Sequence, residues 1–136
     1  DGTRADVIER IIAGEDEGTL ISTTHSMDRR RARKKWIAHF NRSQGKIIVD
    51  NGAAQALIKG KKSLLPVGII KIEGPFAKGS VVTILDKAGT TIARGLTSYS
   101  SGDLEKIRGL NTTEVRSKMG PAMYAEAIHR DNLALL

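Results

Sequence analysis

Between Val67 and Leu96 the chain reads VGIIKIEGPFAKGSVVTILDKAGTTIARGL, and this stretch decides the fold class. Three strand-like runs, Val67–Ile72, Val81–Leu85 and Thr91–Leu96, are separated by Gly74-Pro75 with Lys78-Gly79 in the first gap and by Asp86–Gly89 in the second. Short β-branched runs bounded by residues that supply tight-turn dihedrals predict β-strands. Working outward, Lys46–Val49 and Trp36–Phe40 read as further short strands, and the apolar stretches Ala125–His129 and Leu133–Leu136 can return as a closing strand. Small helices are inserted between them. Asp50 can cap one that carries Ala53, Ala54, Ala56 and Leu57 and closes at Gly60. Ser100 or Ser101 can cap a second over Asp103–Arg108, and Asn111 with Glu114 three residues on resembles a capping box for a third ending at Gly120. Five or six short strands with small inserted helices predict a mainly β, compact, barrel-like domain.

The chain of 136 residues is one domain's worth, and at that size a single core is self-sufficient. Without cysteine it has no disulfide scaffold and no thiolate metal site. No apolar run approaches the roughly 18 residues needed to cross a bilayer, and the first residues form no signal region, so a soluble, cytoplasmic protein without a membrane partner is expected. Val7, Ile8, Ile11 and Ile12 recur at helical spacing ahead of Gly14, which predicts an amphipathic helix over residues 4–13, followed by a short strand at Thr19–Thr23. A ten-residue helix is not stable alone in water and needs a partner surface. Asp1 is not a methionine and the amphipathic pattern begins almost at once, which suggests a chain cut from a longer one.

Charge is unevenly spread along this chain. Residues 1–20 carry two basic and six acidic side chains, net −4; residues 21–62 carry eleven and two, net +9; residues 63–136 carry nine and seven, net +2. Six of the seven residues from Arg29 to Lys35 are basic, so residues 23–35 read as a mobile basic linker. A basic excess confined to one third of the chain makes a local positive field that attracts phosphate backbones and other polyanions. Arg29, Arg30, Arg31, Arg33, Lys34 and Lys35, with Arg42, Lys46, Lys59, Lys61 and Lys62, are the candidate polyanion contacts. If Lys61 and Lys62 lie beside the linker in space, they extend it into one patch. Trp36 and Phe40 share a face of the expected strand and are assigned to the core rather than to base stacking.

No catalytic constellation survives inspection. Gly60-Lys61-Lys62-Ser63 lacks the spacing and order of a phosphate-binding loop. His129-Arg130-Asp131-Asn132 echoes a kinase catalytic loop but the chain ends at Leu136, short of the other required motifs. His25, His39 and His129 are widely separated without carboxylate partners at ligand spacing, so no metal ligands are assigned. Neither Ser100 nor Ser101 lies in a nucleophile elbow, and helix capping accounts for both.

Several strings, in order, carry a resemblance: Gly52-Ala53-Ala54-Gln55-Ala56-Leu57, Ser63 to Ile69, Gly74-Pro75-Phe76-Ala77-Lys78-Gly79, Ile92 to Leu96, Tyr99-Ser100-Ser101, Asp103-Leu104 and Ile128 to Leu133. The chain resembles the C-terminal part of bacterial glutamate 5-kinases over nearly its whole length. It departs from them at Gly60-Lys61-Lys62-Ser63, with an extra or displaced lysine, and at Ser98, where Asn often precedes Tyr-Ser-Ser. The resemblance implies that residues 36–136 are a PUA domain, a small pseudo-barrel named for RNA-modifying enzymes, that 23–35 are the linker, and that 1–22 are the tail of an amino-acid kinase domain. It also implies that the parent enzyme phosphorylates the side-chain carboxylate of L-glutamate at the start of proline synthesis. ATP and Mg²⁺ then belong to the upstream kinase domain, and this chain carries no catalytic residue and no cofactor of its own. RNA-binding relatives use the first helix and the strand after it, here about Gly52–Ile69, which adds Gly68 to the candidate contacts. The implied partners are the upstream kinase domain, RNA, and further copies of the parent in a homo-oligomer; a third implied role is regulatory packing between domains.

Overall fold

The structure, a computed structural model, describes residues 5–19, 29–39, 43–120 and 124–136. Its sheet has five strands: β1 (Gly45–Val49), β2 (Ile69–Glu73), β3 (Val81–Leu85), β4 (Thr91–Leu96) and β5 (Leu133–Leu135), in the spatial order β2-β1-β3-β4-β5. The β1 to β3 pairing is parallel and the other three are antiparallel. The three runs of the deciding stretch are therefore strands, with one shift: residues 66–68 form a 3-10 turn that delays β2 to Ile69. Residues 125–129 contribute a single bridge, Ile128 to Leu64, and only the final apolar stretch becomes a strand.

Helices α3 (Asn51–Ile58), α4 (Ser101–Ile107) and α5 (Thr112–Met119) sit where their caps predict. Asp50 Oδ1 accepts from the Ala53 amide at 2.7 Å. Both halves of the capping box are present, with Asn111 accepting from Glu114 N and Glu114 accepting from Asn111 N. Ser100, rather than Ser101, caps α4; its hydroxyl accepts from Asp103 N and donates to the Asp103 carboxylate at 2.8 Å. That hydrogen bond, and then Lys106, holds the Asp103 carboxyl below its ordinary value. Leu57, Leu104, Ile107 and Val115 from these helices are buried with Ile47, Val49, Val82 and Ile84 of the sheet in one core. Tyr99 is also enclosed there; its hydroxyl donates to the Tyr124 carbonyl, and burial, followed by the Glu126 charge, pushes its phenol pKa up.

The basic segment departs from expectation. Arg29–His39 is an eleven-residue helix, α2, so neither a mobile linker through Lys35 nor a strand at Trp36 describes it; Phe40 lies outside the described residues. The 35/36 boundary drawn from sequence cuts through this helix. Arginine, lysine and alanine are all good helix formers, and no residue in the segment breaks the turn. What holds the helix is tertiary. Ile37 is fully buried with Val81 and Ala134, while Ala38 and Leu96 pack against them. Because strand side chains alternate faces, Val81, Arg94, Leu96 and Ala134 lie opposite the main core, and α2 covers that second face. Arg94 Nη1 donates to the Ala38 carbonyl at 2.7 Å, satisfying a C-terminal carbonyl of the helix. Trp36 is 52% exposed, against its assignment to the core.

Helix α1 (Val7–Ile12) agrees with the amphipathic pattern and is closed by Gly14 at φ 83°. It buries no residue. Arg10 pairs with Glu15 at 2.7 Å and Glu17 at 2.6 Å, and Ile8, Ile11 and Ile12 remain exposed. The expected strand at Thr19–Thr23 lies, beyond Thr19, outside the described residues. Among the described residues no helix is long and apolar enough to cross a membrane.

Two outcomes follow from these contacts. Substituting Ile37→Ala or Arg94→Met should release α2 while leaving the main core folded. The single Trp36 then reports the change as altered fluorescence, and limited proteolysis cuts within 29–39 before the sheet is attacked. Ser100→Ala should lower stability by about 1 kcal/mol at neutral pH, the usual worth of a helix N-cap, read from denaturant unfolding. The pH dependence carries a sign. A carboxyl whose folded pKa is depressed stabilises above its unfolded pKa and loses that contribution as pH falls through the folded value. Removing the Ser100 hydroxyl takes away the leading cause at Asp103, so the variant should lose less stability on acidification than the parent chain.

Candidate functional site

Strand β5 is an edge of the sheet, α2 packs against β4 and β5, and residues of α2 and of the end of α3 face a common space there. Between them opens a cleft of about 400 Å³. Its α2 wall presents Lys34, Lys35 and His39; the opposite wall is the exit of α3, with Lys61 and Lys62; Arg130, in the second 3-10 turn (Arg130–Asn132), completes the rim. Leu57, Leu133 and Ala134 form an apolar floor. Among the described residues no carboxylate lines the cleft. Two tertiary hydrogen bonds fix the Arg130 turn: Arg33 Nη1 donates to Asn132 Oδ1 at 3.1 Å, and the Arg130 amide donates to Ser63 Oγ at 3.0 Å.

The α3 exit is unusual in its backbone. The sequence closes this helix at Gly60, and it is the next residue, Lys61, that adopts the left-handed conformation, with φ 46°. A side chain there carries a steric cost that glycine does not. Lys62 N donates to Ala56 O at 3.2 Å, which closes the turn and delivers both lysines to the rim.

Of the sequence-predicted contacts, Lys34, Lys35, Lys61 and Lys62 therefore meet around one cleft. Arg29 opens α2, and Arg30, Arg31 and Arg33 extend the cationic helix beyond the cleft. Arg42 lies outside the described residues. Lys59 is exposed and does not line this cleft, and Lys46 projects near Glu73 in a separate depression at the other side of the sheet. Gly68 is buried, and a Cβ there would fall 2.5 Å from Ala53 Cβ; its lack of a side chain lets the first 3-10 turn approach α3. It lines a second, more apolar cleft of about 440 Å³ with Ala53, Ala56, Leu65 and Val67, within the stretch Gly52–Ile69. Arg130, His39 and Leu57 were missed from sequence. The only signal for Arg130 was its place in the string Ile128 to Leu133, where it is the one Lys or Arg.

Among the described residues no group of three His, Asp or Glu side chains could hold a metal ion. Lys61, Lys62 and Arg130 are exposed and can meet an anion without rearranging the core.

The chain is 45% identical over 131 residues to the glutamate 5-kinase of Dictyoglomus thermophilum, an alignment covering 96% of this chain and 35% of that protein. It is 43% identical over 136 residues to the glutamate 5-kinase of Paraburkholderia phytofirmans, covering 99% and 36%. These matches fall in the C-terminal region of the enzymes, and the chain spans about a third of their length. A crystal structure of a PUA domain from Aeropyrum pernix, a tartrate complex, superposes with a TM-score of 0.46 at 31% identity, covering 64% of this chain and 43% of that one. The family model for the PUA domain matches residues 45–119, from the first residue of β1 to the last of α5. On that match the chain belongs to the PUA domain family.

Proposed function

We propose that the chain is the non-catalytic C-terminal module of a glutamate 5-kinase, and that ATP-dependent phosphorylation of the L-glutamate side-chain carboxylate is performed by the protein upstream of it. The observation that carries this reading is the collinear identity over 96–99% of the chain to only 35–36% of enzymes of that name. Phosphoryl transfer requires donors and a metal gathered around the phosphates. On this reading ATP and Mg²⁺ are held by the upstream kinase domain. The isoleucines of α1, from 52% to 81% exposed, support the assignment of residues 1–22 to the end of that domain, whose surface would cover them. The docking of α2 on the sheet supports drawing the start of the accessory module at or before Arg29 rather than at Trp36.

The test is acyl-phosphate trapping. Incubated with ATP, Mg²⁺, glutamate and hydroxylamine, the 136-residue chain should form no hydroxamate, whereas the protein including its upstream segment should form it steadily. Turnover by the chain alone at enzyme-like rates contradicts the proposal.

A second reading, RNA binding by the cationic surface, is favoured by one observation: residues distant in sequence, on α2 and at the α3 exit, bring their positive charges to the same face. Neutralising several phosphates gives affinity that falls steeply with salt. Titration with a structured RNA at several salt concentrations should then give a log–log slope of about −3 to −4 for four or five contacts. Absence of binding at low salt removes this reading without touching the first.

A further inference from the structure

The β5-edge cleft has properties that the PUA match does not account for. Three of its walls, α2, the Arg130 turn and β5, lie outside the matched residues 45–119. Its volume, about 400 Å³, lies toward the small end of ligand sites and suits one small molecule rather than a nucleic-acid helix.

Charge narrows the occupant. Lys34, Lys35, Lys61, Lys62 and Arg130 surround the cleft, and among the described residues none of them has an acidic partner. Two cationic segments are held facing each other by apolar and hydrogen-bonding contacts elsewhere, Ile37 and Arg94 for α2 and the Ala56 carbonyl for the α3 exit. Like charges in such proximity repel, so the arrangement favours an occupant with several negative charges in a short span. Lysine ammonium groups act as point charges toward phosphate, and an arginine fork can take a terminal phosphate through two parallel hydrogen bonds. Position 61 points the same way. Its left-handed backbone favours glycine, and a lysine stands there at the rim. The floor of Leu57, Leu133 and Ala134 would accept a flat apolar group next to the charged chain.

We propose that this cleft is a binding site for a polyphosphate chain, that of a nucleoside triphosphate or the inorganic ion, held between Lys34 and Lys35 of α2, Lys61 and Lys62, and Arg130. The site differs from an RNA surface in the size of what it takes.

The experiment is calorimetric titration of the 136-residue chain, in EDTA at low salt, with inorganic triphosphate, ATP, adenosine and a single-stranded RNA 20-mer. Triphosphate and ATP should bind and adenosine should not. ATP binding more tightly than triphosphate assigns the site to a nucleotide, and equal affinity assigns it to the phosphate chain alone. Lys62→Ala and Arg130→Ala should each weaken binding by about tenfold, the loss expected for a charge-assisted contact. Lys71→Ala, whose ammonium pairs with Glu73 on the far edge strand, should leave it unchanged. Lys61→Gly separates binding from folding, because it should weaken binding while the melting temperature holds or rises. The proposal is overturned if neither polyphosphate binds, if Lys61→Ala/Lys62→Ala/Arg130→Ala binds as the parent does, or if RNA binds and triphosphate fails to displace it. None of these results depends on the hydroxamate assay.

Discussion

The contact on which the functional surface depends is the seating of α2 on the outer face of the sheet. A helix with six cations in seven consecutive positions gains little from burying its own side chains, and it faces two further lysines across the cleft. Among the contacts that hold it are the burial of Ile37, with Ala38 beside it, and the hydrogen bonds from Arg94 to the Ala38 carbonyl and from Arg33 to Asn132. Full burial of a side chain the size of Ile37 is worth roughly 1.5–3 kcal/mol, and a hydrogen bond from a charged donor such as Arg94 roughly 1.5–3 kcal/mol more. These gains have to exceed the cost of ordering the helix and of drawing like charges together. Arg94 is oriented by this contact, since its Nη1 reaches the Ala38 carbonyl while its buried Nε has no partner among the described residues. Without that seating the cleft loses a wall and the basic residues become separate patches.

The strands and three of the helices were legible because their signals are local. Asp50, Ser100 and Asn111 announce helix starts through their own hydrogen bonds, and the glycines after β2 and β3 mark turns whatever the rest of the chain does. Helix α2 was not legible for the opposite reason. Its composition reads as a solvated linker, and the contacts that order it come from Val81, Arg94, Leu96 and Ala134, which are 42 to 105 residues away from the start or end of the helix. Trp36-Ile37 looked like the opening of a strand because two large apolar residues suit one; on a helix they diverge, Ile37 inward and Trp36 toward solvent.

The same distinction applies to the cleft. Lys61 and Lys62 were recognisable as cations at a helix exit, and their meeting with the basic segment was a conditional expectation that the fold fulfils. Arg130 was invisible because its neighbours in space, Lys34 and Lys62, are remote in sequence. Gly68 shows how a resemblance can mark a residue whose physical role is packing: it permits contact between the 3-10 turn and Ala53. The family match begins at β1 and ends at α5, so it holds four of the five strands of the sheet, while α2 and β5 lie beyond it.

The central claim is that α2 is a helix docked on the sheet and thereby closes the cationic cleft. Methyl-resolved NMR of the chain tests it most directly. Strong nuclear Overhauser contacts from the Ile37 methyls to Val81 and to the Ala134 methyl, with helical shifts through residues 30–38, are the predicted result. Random-coil shifts for that segment, with Ile37 showing no contact to either residue, would contradict the account.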